Sequence, residues 1–256
     1  PTTTGCWDAS FNGGGTPPFA VTSYGFTYAT GCDVVVVHLS ADAASLVGST
    51  WVGGSGNDGL NQETPTNRNY GDPFRGEIVL DADERPLAVT STSSTGLFTT
   101  PGAVQATFGG VMDAYVFRMD PQLSTMLWAT YFGGPGVDSG FGVQVSGTGD
   151  VYITGGTTST TLPAAGSPAF ASFNGGAADG YIARFSPDGS TLLGRTYLGT
   201  AGFDQSYFVQ LDTNNDVYVV GQTTGSYPIS PGKYNNANAT QFLHKFSSDL
   251  GASLWS

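Results

Sequence analysis

The sequence predicts an all-β fold: a β-propeller of four-stranded antiparallel blades, about four of them in this chain, open to being part of a larger ring. Three observations predict it. A unit opening on aspartate recurs at Asp33, Asp113 and Asp179, and a shorter copy starts near Thr240. Eighteen positions after each aspartate stand Trp51, Tyr131 and Tyr197, and twenty-five after stand Asp58, Asp138 and Asp204. Helix signals are missing, since no capping box leads into an apolar run of period 3.6. Repetition at this spacing is the mark of stacked supersecondary units, each too small to bury its own apolar face.

Each unit reads as four strands. DVVVVHL, DAYVFRM and DGYIARF alternate apolar and polar positions with β-branched and aromatic residues, which suits a strand. A tight turn (DPQLS, SPDGS) leads to a second strand such as LLWATYF. A GGxGxD loop then leads into GVQVS or FVQLD, and a turn (GTGD, TNND) into VYITGGT or VYVVGQT. A long loop carrying proline and aromatics closes the unit. In a propeller of this order GVQVS is innermost, VYITG second, DAYVF third and LLWATY at the rim. The blades then run 1–59 (lacking its inner strand), 60–139, 140–205 and 206–256. Asp33 to Asp113 is 80 positions and Asp113 to Asp179 is 66. The excess is LNQETPTNRNYGDP, residues 60–73, whose Asn and Pro content predicts a surface excursion.

Composition agrees. The 256 residues are 39% hydrophobic, enough for a core, and include 38 glycines, which suits many tight turns. The formal net charge is −12, which opposes binding to a phosphate backbone, so no nucleic-acid partner is expected. An acidic balance with few lysines favours an extracellular protein. No run of 18 apolar residues exists, so no membrane-spanning helix is expected. The opening PTTTG predicts a processed product or a piece of a longer chain. The even pair Cys6 and Cys32 argues for a disulfide. The repeat alignment argues against it, placing them at the starts of antiparallel neighbours, roughly 20 Å apart at about 3.3 Å per residue.

The pattern D-x-Y-V-x-R, then L-x-x-T-Y-x-G-G-x-G-x-D, then G-x-V-Y-x-x-G-x-T resembles the bacterial β-propeller repeat family called SBBP. The resemblance covers residues 33–256 well and 1–32 loosely. It implies an exported cell-surface scaffold or adhesin, as in large surface proteins of Bacteroidota that carry PKD-like domains and gliding-motility or type IX secretion signals. Its implied partners are outer-membrane export or motility machinery and surface protein or glycan. It implies no cofactor and no catalytic residue. A carbohydrate-active enzyme or lectin, and a purely structural spacer, are the alternative readings.

Strand direction puts the GGxGxD loops and the long loops on one face, where a rigid scaffold usually carries recognition. Tyr24, Phe26, Tyr28, Tyr70, Phe98, Phe170, Phe173, Tyr227 and Tyr234 lie there. They can stack on sugars or anchor a partner, or they can seal the loops to the core. Asp58, Asp138 and Asp204, each with a second acid of its blade, are weak Ca²⁺ candidates or loop acids that satisfy backbone N–H groups. The recurring His38, Arg118, Arg184 and Lys245 form either a ring of cations or half-exposed stems salt-bridged to a neighbour. Asp212, Asn214 and Asp216 read as a hairpin turn. Two histidines leave a Ser-His-Asp triad or a zinc site without its parts.

Overall fold

The computed structural model describes residues 2–16, 30–69, 71–236 and 238–256. The predicted Tyr24, Phe26, Tyr28 and Tyr70 lie outside the described residues. The described residues are all-β, with three four-stranded antiparallel sheets and one two-stranded sheet. Strands β1 (Val34–Leu39) and β2 (Leu46–Val52) form the small sheet. Strands β3 (Glu77–Leu80), β4 (Pro86–Thr92), β5 (Asp113–Met119) and β6 (Met126–Phe132) form the second, in that order. The third is β7 (Asp138–Val145), β8 (Val151–Thr157), β9 (Asp179–Phe185) and β10 (Leu192–Leu198). The fourth is β11 (Asp204–Leu211), β12 (Val217–Thr223), β13 (Gln241–Phe246) and β14 (Ser253–Trp255). Among the described residues these sheets do not close into a ring.

Two strands begin earlier than their pattern predicts. Asp138 and Asp204 are the first residues of β7 and β11, paired with Thr157 and Thr223. The register shifts between Gly140 and Gly142, and between Ser206 and Phe208. A bulge there breaks the period-two alternation, so the opening residues read as loop.

Consecutive sheets pack face to face through their inner strands. Strand β7 lies on β4 and β5, and β11 lies on β8 and β9. Strand β5 shows how one sequence serves two cores, since successive side chains point to opposite faces. Its Ala114 and Val116 enter the core shared with the third sheet, while Tyr115, Phe117 and Met119 enter the core shared with the first. Strand β9 repeats the device, with Tyr181, Ala183 and Phe185 on one face and Ile182 on the other. A sheet covered on both faces reads as a nearly continuous apolar run.

The long loops return to guard the outer edges. In each of the first three sheets a buried threonine of the outer strand, Thr50, Thr130 or Thr196, clasps one loop residue from both sides. Thr130 Oγ1 accepts the Gln105 N–H at 3.0 Å and donates to the Gln105 carbonyl at 3.3 Å. Asp8 and Phe170 are held by Thr50 and Thr196 in the same way. The clasp covers part of an edge that would otherwise be open to pairing with another chain. It also shows that residues 8–14, in the stretch with the looser resemblance, follow the repeat. The missed signal is FNGG, at Phe11–Gly14 and again at Phe173–Gly176.

Candidate functional site

The repeated acids build three equivalent nodes at the loop end of the sheets. In the second sheet Asp113 Oδ2 accepts the Gly109 N–H at 2.7 Å and the Gln105 amide at 2.9 Å. Asp33 and Asp179 take the N–H groups of Asn12 and Asn174, each at 2.5 Å. The partner acid, Asp138, accepts Gly134 N–H at 2.7 Å and the hydroxyls of Thr157 and Ser159. Asp58 uses Gly54, Thr92 and Ser94 identically. The first glycine of each motif lies against the opening acid, and in the second node between both acids: a Cβ on Gly133 would meet Asp113 Oδ1 at 2.5 Å and Asp138 Oδ2 at 2.9 Å. No side chain fits there, so the motif requires glycine.

The third node replaces Gly-Ser by Thr-Gly. Thr200 stands at the Gly134 position and Gly225 at the Ser159 position. The Thr200 hydroxyl then bonds Asp204 Oδ2 at 2.7 Å and accepts Gly202 N–H at 3.0 Å, the two contacts that Ser159 makes with Asp138 and Gly136. One hydroxyl occupies the same place, reached from the opposite side of the node. This is a structural requirement expressed through two different residues.

Burial dominates the electrostatics of these nodes. It pushes Asp113 and Asp179 up to about 7 and Asp58 up to about 6, with the like charge of the paired acid adding to the rise. Asp138 and Asp33 are also raised by burial. N–H and O–H donors take both carboxylate oxygens of Asp58 and Asp138 and the Oδ2 of Asp204, whose Oδ1 is buried without a hydrogen-bond partner. Among the described residues no group of three or more His, Cys, Asp or Glu is placed to hold a metal ion.

Three of the recurring basic residues, His38, Arg118 and Arg184, bond a turn of the next sheet, and Lys245 bonds a turn of its own. Arg118 donates to the Pro187 carbonyl at 2.7 Å in the next sheet's turn and lies 3.4 Å from Asp81 in its own. Arg184 reaches the Ser248 carbonyl at 3.1 Å and Asp150 at 2.5 Å. Lys245 holds Asp212 and Asp216, both at 2.9 Å. His38 Nδ1 meets the Pro121 carbonyl at 2.8 Å. Cys6 and Cys32 are free thiols.

Among its described residues the excursion at 60–73 is not a surface loop. Leu60, Asn61, Thr66 and Asp72 are buried. The segment lies across the inner strands of the third and fourth sheets. Thr66 takes the Ser139 hydroxyl at 2.7 Å and the Gln205 amide at 2.9 Å. Asn69 donates to Tyr207 Oη at 2.5 Å and to Gln222 at 2.9 Å. Arg68 sits 4.3 Å over the Phe203 ring and Arg75 4.7 Å over Tyr207. Its polar residues are buried because the strand ends beneath them are polar too.

The predicted aromatics separate into three kinds. Tyr227 stacks on Phe242 at 4.0 Å, Phe170 lies edge-on to Phe246, and Phe173 lies edge-on to Tyr197, so all three seal loops to the core. Phe98 is half-exposed and packs against Trp7 at 5.0 Å. Tyr234 is 95% exposed. It stands in a groove of about 360 Å³ lined by Tyr227, Pro228, Ile229, Asn235 and Asn236.

One polar chain escapes sequence reasoning. Ser253 Oγ lies 2.7 Å from His244 Nε2, and Tyr227 Oη lies 2.8 Å from Nδ1. Burial lowers the His244 pKa to about 4, so the ring is neutral at pH 7. Burial also holds Tyr227 well above the ordinary phenol range, so its hydroxyl keeps its proton and can donate it to Nδ1. Each hydroxyl donates to the neutral ring or accepts from it according to the imidazole tautomer.

No protein-family model matches the chain, and no curated protein matches it significantly.

Proposed function

We propose that this chain is a non-enzymatic β-propeller module of the SBBP type, from an exported bacterial surface protein, that binds through its long-loop face. The repeat and the order of strands within each sheet support the propeller reading. The observation that carries the binding reading is the Tyr234 groove. An exposed phenol ring beside the carboxamides of Asn235 and Asn236 and the half-exposed Ile229 is the chemistry that receives a sugar ring or an extended peptide. The repeated acids and cations, by contrast, are engaged in loop bonds, in bonds to their own hairpin turns and in inter-sheet bonds. Adhesion, gliding motility or type IX secretion is the setting in which such a module acts, with outer-membrane export or motility machinery, surface protein or glycan as its partners.

The test is a binding screen of the protein against bacterial and host polysaccharides and against solubilised outer-membrane proteins, repeated with Tyr234→Ala. At least one ligand should bind saturably and lose about tenfold in affinity in the variant, about 1.4 kcal/mol. Hydrolysis of a polysaccharide in the same panel would instead favour the enzyme reading. Binding unaffected by Tyr234→Ala would move the site elsewhere.

A further inference from the structure

The first sheet differs from the other three in having, among the described residues, the two outer strands and no inner pair. Three features mark the place of that pair. Strand β1 hydrogen-bonds to β2 on one edge, and its other edge pairs with no described strand. In the sister sheets the corresponding edges of β5, β9 and β13 pair with β4, β8 and β12. Second, Ile78 of β3 is 52% exposed, whereas Val143 and Val209, at the same register in β7 and β11, are 0% and 1% exposed. Val143 and Val209 are covered because they pack on the preceding sheet. Third, Arg118, Arg184 and Lys245 each meet an acid in the turn of their own inner hairpin, Asp81, Asp150, and Asp212 with Asp216. His38, at the same position, meets none among the described residues. Two grooves of about 370 and 540 Å³ run between β1 and β3, lined by Val35, Val37, Leu39, Phe74, Ile78 and Leu80.

We infer that the cleft between β1 and β3 is a strand-addition site for a β-hairpin carrying the inner-strand pattern of this same repeat. The added second strand pairs antiparallel with β1 in the register of β8 on β9. That register puts the residue at the Tyr152 position opposite His38 and the residue at the Thr157 position opposite Asp33. Main-chain bonds supply affinity, and alternate side chains facing β3 supply specificity. The hairpin turn brings an acid, at the Asp150 position, beside His38. The site thereby continues an interface that the chain already forms between its complete sheets, and it selects a strand-turn-strand segment rather than a helix or a free apolar side chain.

The probe is a fluorescent peptide of residues 138–157, titrated into the 256-residue protein. Anisotropy should rise saturably to one peptide per chain, and a scrambled peptide should not bind. Ile78→Lys, at a half-exposed position where folding is checked by a thermal melt, should weaken binding about tenfold. Asp150→Asn within the peptide, which leaves the protein untouched, should weaken it several-fold. Every second amide of β1 should gain hydrogen-exchange protection on binding, because alternate N–H groups face the open edge. Lack of saturable binding, or binding indifferent to both substitutions, overturns the inference. So does a concentration-dependent dimer that Ile78→Lys abolishes, since the occupant is then a second copy and not a hairpin.

Discussion

Val35 of β1 and Tyr181 of β9 hold the same position in the repeat, two residues after Asp33 and Asp179. Tyr181 is fully buried and Val35 is 50% exposed. The ring of Tyr181 packs against Phe132 of the preceding sheet, and its hydroxyl donates to the Ser139 carbonyl at 3.0 Å. Val35 has no preceding sheet among the described residues. Local sequence is therefore a poor guide to stability in this molecule. What a strand contributes depends on whether a sheet lies on each of its faces, and among the described residues only the middle sheets are covered twice.

The largest expected effect tests that contrast directly. Tyr181→Ala should cost about 3–5 kcal/mol in chemical denaturation, as other large-to-small aromatic changes in cores do. Val37→Ala, at a half-exposed position of β1, should stay within about 0.5 kcal/mol. Equal costs would mean that the first sheet is covered as well as the third.

A second comparison is between the Gly-Ser and Thr-Gly forms of the node. Gly54→Thr alone should destabilise, because a Cβ there meets Ser94 Oγ at 2.9 Å and Ser94 Cβ at 3.0 Å. Ser94→Gly alone loses the bonds to Asp58 and to Gly56 N–H. The double variant copies the third node and should recover much of both losses. The coupling expected from a double-mutant cycle is about 1–3 kcal/mol. Additive losses would show that the third node tolerates its exchange for reasons outside the node.

The smallest effect is on pH. Asp113, Asp179 and Asp58 have folded-state values raised above the ordinary carboxylate range. Over that interval the folded state holds protons that the unfolded state has lost, so stability falls as pH rises from about 4 to about 7 and levels off above. The turn acids Asp42, Asp120 and Asp188 are lowered by hydrogen bonds from their own turns, Asp188 to about 2. Their contribution is present above the ordinary range and is lost as pH falls below it. Thermal melts should therefore peak in mild acid, several degrees above the value at pH 8. Asp113→Asn should flatten the neutral limb. A flat profile in the unsubstituted protein would show that the node acids are ionised at neutral pH.

Strand identity was legible because it depends on nearest neighbours. DAYVFRM and DGYIARF carry enough β-branched and aromatic residues to be strands in any setting, and they are β5 and β9 from end to end. Covalent spacing alone sets the recurrence of glycine between two acids, so the node positions could be read, though not the clash that makes glycine necessary. The segment 60–73 was misread because polarity describes a residue and not its surroundings. Thr66 is buried against Ser139 and Gln205, more than seventy positions away, and no local pattern reports such partners.

FNGG was legible in principle and hidden by distance, since Asn12 caps Asp33 across 21 positions while Asn174 caps Asp179 across five. The sequence by itself determined the strands, their turns and the order in which they pair, because those follow from side-chain alternation and short loops. Tertiary structure alone decided which apolar faces are covered and which edge stays open. Burial is a property of what lies opposite, and what lies opposite comes from a different repeat.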